Sequence, residues 1–188
     1  SSSVVVLDAD TGKLKAYFQE MPHDAWDFDS AVGEFMVIDG AMVHPNKGGM
    51  HFVYDRDPAN ATDDELKVIN AYMTSETYNC ISGVSKEGRL LDRVDYTEGM
   101  HTNMCPAIDG SISWNAGSYS PKTGLMYKVN QEWCFDIDVV KADRPADYSG
   151  QAYFGASWTA THPKVMTDGP KKGEAVEKAY GTVQARDP

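Results

Sequence analysis

The chain has 188 residues, with 17 Lys or Arg against 28 Asp or Glu, and its formal net charge at pH 7 is −11. This acidic balance argues against nucleic acid and anionic membranes as partners, because both are bound by basic surfaces. No apolar run reaches the length of a membrane-spanning helix. The 4 Trp, 10 Tyr and 6 Phe residues are bulky and rigid, as β-sheet cores require.

Short apolar runs separated by turns dominate the chain and predict strands. In chain order these strands are Val4–Leu7, Phe35–Ile38, Met50–Tyr54, Leu125–Val129 and Cys134–Val140. Polar residues followed by glycine predict tight hairpin turns at Asp10–Lys13, Lys86–Arg89 and Pro121–Gly124. The exception is Ala61–Met73, where the acidic run Asp63–Glu65 precedes apolar residues at helical spacing and predicts a short helix.

A weak internal repeat links distant parts of the chain. The segment Val6–Asp10 is echoed by Val53–Asp57, roughly the length of one four-stranded propeller blade later, and again by Val183–Pro188. A chain that starts at the end of one such unit and stops inside another looks excised from a larger protein. We therefore expect an all-β fold in which residues 1–188 form one partial propeller domain of about two to three blades.

Three cysteines, Cys80, Cys105 and Cys134, are too far apart for a CxxC zinc or redox motif. Composition leaves open whether they are reduced core residues or whether two of them form one disulfide.

Four segments, taken in order, resemble the alcohol dehydrogenases that depend on pyrroloquinoline quinone (PQQ), the methanol dehydrogenase family. They are the blade motif Leu7–Tyr17, the active-site segment Pro22–Asp29, the cofactor-side strand and turn His44–Arg56, and the pocket loop Ser113–Gly124. The first is similar to the tryptophan-docking repeat of that family, with Tyr17 in place of the closing Trp, and Ser113 replaces the first Asn of the pocket loop. The resemblance implies an eight-bladed quinoprotein β-propeller.

The resemblance assigns Asp27 as catalytic base and metal ligand, since alcohol oxidation needs a base for the hydroxyl proton. Asp29 would be a second metal ligand, because alternate residues of an extended strand share one side. This extra carboxylate resembles the lanthanide-dependent branch, where it offsets a higher ionic charge, although a Ca²⁺ ion stays open. The alternative is an acidic surface turn that contacts no metal.

By the same resemblance, Lys47 would contact the reactive edge of PQQ, and a cation there would stabilise negative charge on the reduced quinone. Ser113 and Trp114 would line the same pocket. Without the resemblance, Lys47 is equally a solvated turn residue, and Trp114 an ordinary packing residue. His23 is expected to be structural.

The spacing of Cys105 and Cys134 matches a disulfide of the methanol dehydrogenases, which leaves Cys80 as a buried free thiol. An oxidised pair implies a periplasmic or secreted protein.

Together these features predict a fragment of an enzyme that transfers hydride from a primary alcohol or similar small hydroxyl compound to PQQ. Electrons would then pass to a c-type cytochrome. The cofactor's Trp and paired-Cys contacts, and two more metal ligands, lie outside this chain, so activity would need the remaining blades in a longer chain or in a partner. Two alternatives remain: a non-catalytic propeller that binds or scaffolds, and a calcium-dependent sugar or polyol dehydrogenase of the same superfamily.

Overall fold

Strands account for nearly all the regular structure in this computed structural model. It describes residues 2–29, 35–141, 143 and 180–188, together with the backbone of three residue pairs, 156–157, 165–166 and 175–176. The strands are β1 Ser3–Leu7, β2 Leu14–Gln19, β3 Met36–Ile38, β4 Ala41–Asn46, β5 Met50–Asp55, β6 Val68–Met73, β7 Gly83–Val84, β8 Leu90–Leu91, β9 Gly99–Met104, β10 Ser118–Ser120, β11 Leu125–Glu132, β12 Phe135–Lys141, β13 Ala156–Ser157, β14 Val165–Met166, β15 Ala175–Val176 and β16 Tyr180–Arg186. The predicted all-β class is confirmed.

The central sheet is a complete four-stranded blade with the order β3-β4-β5-β6. A two-stranded sheet, β1-β2, lies on one side, and a three-stranded sheet, β10-β11-β16, lies on the other. Strand β5 serves both interfaces because its side chains alternate. Phe52 and Tyr54 pack toward Phe18 of β2, whereas Val53 packs toward Met126 of β11. Stacked antiparallel sheets of this kind are blades of a propeller.

The predicted hairpin turns join β1 to β2, β7 to β8 and β10 to β11. The turn before β8 shows why glycine is needed there. Gly88 has a φ of 80°, and a Cβ on it would lie 2.8 Å from the Phe18 ring. Any larger residue would therefore combine a strained backbone with a clash against the core.

The sequence repeat marks the same strand of each sheet. Its copies fall at the ends of β1, β5 and β16, and β5 is the third strand of the complete blade. Its aspartates hold the turn that follows the strand. Asp8 accepts hydrogen bonds from the Thr11 amide and hydroxyl, at 2.9 and 2.7 Å, and they lower the pKa of Asp8 to about 2. Asp55 accepts from the Asp57 amide at 3.0 Å.

The predicted helix over Ala61–Met73 is wrong. Asp63 and Asp64 have φ angles of 53° and 62°, so they form a tight turn rather than a first helical turn. The chain then runs as β6 alongside β5. Val68 and other β-branched or aromatic residues of this segment pack well on a pleated sheet, and pairing with β5 overrides the helical spacing.

An additional three-stranded sheet has the order β13-β12-β9. After Cys134, β12 turns away and pairs with β9 and β13, around a small core that contains Met104 and Phe135. In the part of the chain that the structure describes, no helix is long and apolar enough to cross a membrane.

Candidate active site

The segment Pro22–Asp29 follows β2 as a loop in which buried aromatic residues alternate with exposed carboxylates. Trp26 and Phe28 are buried and stacked, with ring centroids 6.0 Å apart. Asp27 has a φ of 64°, in the left-handed region that few non-glycine residues adopt, although Asp tolerates it better than most. The expected extended strand is therefore wrong at Asp27. The two carboxylates reach a common position through this loop conformation instead.

Lys47 lies in the turn between β4 and β5 and faces both carboxylates. Its Nζ atom is 3.0 Å from Oδ2 of Asp27 and 3.5 Å from Oδ1 of Asp29. The lysine side chain is 14% exposed, whereas the Asp27 and Asp29 side chains are 57% and 53% exposed. Such half-exposed ion pairs add little stability. What the structure establishes is that these three predicted site residues meet at one point.

A cavity of about 380 Å³ opens beside this ion pair. It is lined by Asp29, Lys47, Asp109, Ser113, Trp114, Asn115, Gln131 and Trp133. Ser113 and Trp114 line this cavity together with Lys47, and Trp114 is 85% exposed. Sequence reasoning missed Asp109, Gln131 and Trp133. The Cys105–Cys134 pair was a usable signal for Trp133, because a bridge there brings the end of β11 back against the pocket loop.

The segment that leads into the pocket loop, residues 110–112, touches the backbone of Lys47 directly. The amides of Ser111 and Ile112 donate to the Lys47 carbonyl, at 2.8 and 3.3 Å. Gly110 has a φ of 75°, and a Cβ on it would lie 2.3 Å from both Cγ and the carbonyl oxygen of Lys47. Glycine is therefore required where the loop crosses the lysine turn. Within the pocket loop itself, the Asn115 carbonyl accepts a hydrogen bond from buried Lys128.

The buried carboxyl group of Glu20 connects the loop that carries Asp27 with the strand that leads to Lys47. Tyr54 and Asn46 donate to it at 2.6 and 2.9 Å, and His44 Nδ1 lies 2.7 Å away. Glu20 directly precedes the loop with Asp27, and Asn46 directly precedes Lys47. No sequence signal marked Glu20, because its place in the inward series of Ala16 and Phe18 becomes apparent only in the packed structure.

Cys105 and Cys134 form the predicted disulfide, with a sequence separation of 29 residues and 4.5 Å between their Cα atoms. Cys80 is a buried free thiol, and burial raises its pKa to about 12. Next to the bridge, the Ala107 amide donates to the Trp133 carbonyl at 3.0 Å. The bridge and this bond hold the pocket loop against the end of β11.

The chemistry of these side chains fits part of a site for a hard cation and a flat ligand. Two carboxylates converge on a single cationic group, the Lys47 ammonium, and carboxylate oxygens are the ligands that hard cations prefer. The exposed Trp114 indole beside them offers a planar surface. Within the described residues, no cluster of three or more His, Cys, Asp or Glu side chains is arranged to hold a metal. Any further ligands would come from elsewhere.

Stacked antiparallel sheets with a pocket lined by Asp29 and Lys47 define a segment of a β-propeller. A family model described as the β-propeller domain of PQQ-dependent glucose, ethanol and alcohol dehydrogenases matches residues 1–61. Over 177 residues the chain is 29% identical to the putative dehydrogenase XoxF of Paracoccus denitrificans, covering 84% of this chain and 28% of that protein. It is also 29% identical to the quinohemoprotein alcohol dehydrogenase of Comamonas testosteroni, covering 100% of this chain and 26% of that one.

Solved structures agree with this family assignment. The crystal structure of the Comamonas testosteroni enzyme matches with a TM-score of 0.65 at 26% identity, over 100% of this chain and 27% of that one. A europium-containing methanol dehydrogenase matches in fold, with a TM-score of 0.67 at 23% identity, over 100% of this chain and 31% of that one. The chain belongs to the PQQ-dependent alcohol dehydrogenase family, and it spans only about a quarter to a third of the length of these relatives.

Proposed function

We propose that this chain is part of a quinoprotein alcohol dehydrogenase that oxidises a primary alcohol or similar small hydroxyl compound with PQQ and a metal ion. The observation that carries the proposal is the meeting of Asp27, Asp29 and Lys47 beside the pocket of Trp114. These are the residues that the resemblance assigns to base, metal and cofactor contact. The family match and the PQQ-dependent relatives support the same chemistry.

Asp27 is the base in this proposal. Its half-exposed carboxylate is open to a substrate, and it accepts the hydroxyl proton as the carbon is oxidised. PQQ, when bound, supplies the hydride acceptor. The ammonium of Lys47 lies 3.0 Å from Asp27 Oδ2, and in this proposal it stabilises the negative charge that develops on the quinone. The left-handed backbone at Asp27 is the kind of local strain that proteins keep at functional positions.

Asp27 and Asp29 would hold the metal ion from this chain. A second carboxylate suits an ion of higher charge, because selection among hard cations follows ligand number and charge. One structural neighbour is described as europium-containing, which supports a lanthanide over Ca²⁺. Further metal ligands, a Glu and an Asn by the family resemblance, would come from other blades.

The rest of the propeller would complete the site. The outer sheets expose apolar side chains on the faces turned away from the central blade, with Val5 of β1 54% exposed and Val183 of β16 72% exposed. Further blades, in the same or a partner chain, would cover these faces and make residues 1–188 one part of a single propeller domain. Electrons would leave for a c-type cytochrome, a step in line with the quinohemoprotein relative. The disulfide supports a periplasmic location.

The decisive experiment replaces Asp27 with Asn in the protein that contains this chain, loaded with PQQ and metal. Asp27→Asn keeps the size, one oxygen ligand and the tolerance for a left-handed backbone, but removes the proton acceptor. We expect kcat for alcohol oxidation, measured with an artificial electron acceptor, to fall by about two to four powers of ten. The spectrum of bound cofactor should persist.

Asp39→Asn is the matched control. Asp39 also has a positive φ, 49°, but lies in the turn between β3 and β4. Its variant should oxidise alcohol at the parent rate. An Asp27→Asn protein that binds cofactor and turns over within a few-fold of the parent would rule Asp27 out as the base.

A further inference from the structure

Arg93 lies 70 residues after His23 of the loop with the proposed base, yet its side chain closes over that loop. Its guanidinium carbon is 4.5 Å from the centroid of the Trp26 ring. The same group donates from Nη1 to the Pro22 carbonyl and from Nη2 to the His23 carbonyl. One side chain therefore binds the start of the loop through its backbone and the middle of the loop through a stacked ring.

The neighbours of Arg93 fix this arrangement in place. Asp95 Oδ1 accepts from Arg93 Nε at 2.6 Å and lies 2.6 Å from its Nη2 atom. The Trp26 indole Nε1 donates to the Val94 carbonyl at 3.2 Å. Arg93 thus contacts the face of the Trp26 ring, and the next residue, Val94, binds its ring nitrogen. The Arg93 side chain is 20% exposed, so its contact with the indole ring is partly shielded from water. The attraction between a cation and an aromatic ring is stronger when the pair is shielded in this way.

The loop needs such support because its backbone is strained at two places. His23 and Asp27 both have positive φ angles, 48° and 64°. Each unfavourable conformation persists only where the surrounding contacts determine it. Trp26 is the last residue before Asp27, so whatever fixes Trp26 sets the direction in which the Asp27 carboxylate leaves the backbone.

We propose that Arg93 is a positioning residue, which acts through Trp26 and the Pro22 and His23 carbonyls to hold Asp27 and Asp29 at the site. The inference rests on the proposed function for its effect on catalysis. Its structural part concerns the loop alone and can be tested separately. A flat, multivalent guanidinium is required for this role, since the ammonium of a lysine can neither stack on the ring nor bind two carbonyls in a fixed fork.

The test compares Arg93→Ala and Arg93→Lys with a control, Arg89→Ala, in the protein loaded with PQQ and metal. Arg89 also lies over an aromatic ring and pairs with a carboxylate, but its partners are Phe18, at 5.3 Å, and Glu65, at 2.6 Å. We expect both Arg93 variants to lower kcat by about 10², the effect of a displacement near 1 Å, with a much smaller change in KM. Added guanidinium should partly restore kcat in Arg93→Ala. The control should keep parental kcat with or without guanidinium.

Amide hydrogen exchange over residues 22–29 gives a readout independent of turnover. Exchange there should be faster in both Arg93 variants and unchanged in Arg89→Ala. Parental kcat or parental exchange in the Arg93 variants would overturn the inference, as would failure of guanidinium to restore activity. If the parent oxidises no alcohol at all, the proposed function fails, and the exchange measurement still decides whether Arg93 holds the loop.

Discussion

Removing the Glu20 carboxyl group is the sharpest test of how the two halves of the site are joined. Glu20 is fully buried and meets Tyr54, Asn46 and His44 at distances of 2.6 to 2.9 Å. Glu20→Ala takes the acceptor away from all three groups in a place where water cannot replace it. Glu20→Gln keeps the shape and one acceptor oxygen. Its NH2 group, however, can only donate and would face neighbours that also donate.

The size of the loss follows from these contacts. A buried polar group left without its partner costs about 1–3 kcal/mol, and breaking a buried charged network by removing one member costs about 3–5 kcal/mol. We therefore expect Glu20→Ala to lower the free energy of unfolding by about 3–5 kcal/mol. Glu20→Gln should lower it by about 2–3 kcal/mol, roughly one hydrogen bond to a charged group. Either value is a large share of the stability of a domain, which is about 5–15 kcal/mol.

Urea denaturation of the intact protein, followed by tryptophan fluorescence, measures these differences. Glu65→Gln is the control, because Glu65 pairs with Arg89 in a surface ion pair at 2.6 Å. This control should lose less than about 1 kcal/mol. If Glu20→Ala is no more destabilising than Glu65→Gln, then Glu20 does not hold the strands together and the reasoning fails.

Three further predictions concern the metal, the thiols and the response to pH. Asp29→Ala should reduce lanthanide-supported activity far more than any calcium-supported activity, because it removes one of two carboxylates; activity assays with each ion measure this. Thiol labelling of the denatured, unreduced protein should find one free thiol, that of Cys80. Loss of the Cys105–Cys134 bridge should lower the free energy of unfolding by about 3–4 kcal/mol, because the bridge closes a loop in the unfolded chain. Burial holds the pKa of His51 near 3, against 6.5 in the unfolded chain. At a pH between these two values, unfolding therefore takes up a proton. The free energy of unfolding should fall by up to about 1.4 kcal/mol for each pH unit as the pH decreases. His51→Gln should remove this pH dependence, which denaturation at several pH values from 7 to 4 would measure.

Each of these has a result that would contradict it. Equal activity with both ions, unchanged in Asp29→Ala, would leave Asp29 as a turn residue. Three labelled thiols would disprove the bridge and weaken the periplasmic proposal. An identical pH dependence in the parent and His51→Gln would show that His51 does not titrate as burial predicts.

Local patterns in the sequence were enough to determine five of the strands, β1, β3, β5, β11 and β12, and three of the hairpin turns. The short apolar runs of β5 and β11 and the polar-then-glycine turns need no distant information, because strand preference and φ preference are properties of a few adjacent residues. The same holds for the order of the resembling segments, which identified Asp27, Lys47 and Trp114 before any contact was known. Where local signals conflicted, as at Asp63 and Asp64, pairing with β5 decided the outcome.

The tertiary structure decided how those residues are held. Arg93 binds the carbonyl of His23, which is 70 residues away in the chain, and Trp133 lines the pocket because a disulfide holds the end of β11 there. Glu20 reads in the sequence as one more acidic residue, yet its place in the fold makes it the link between the carboxylate loop and the Lys47 turn. Such roles depend on contacts between residues far apart in the chain, and those contacts exist only once the blades have packed against each other.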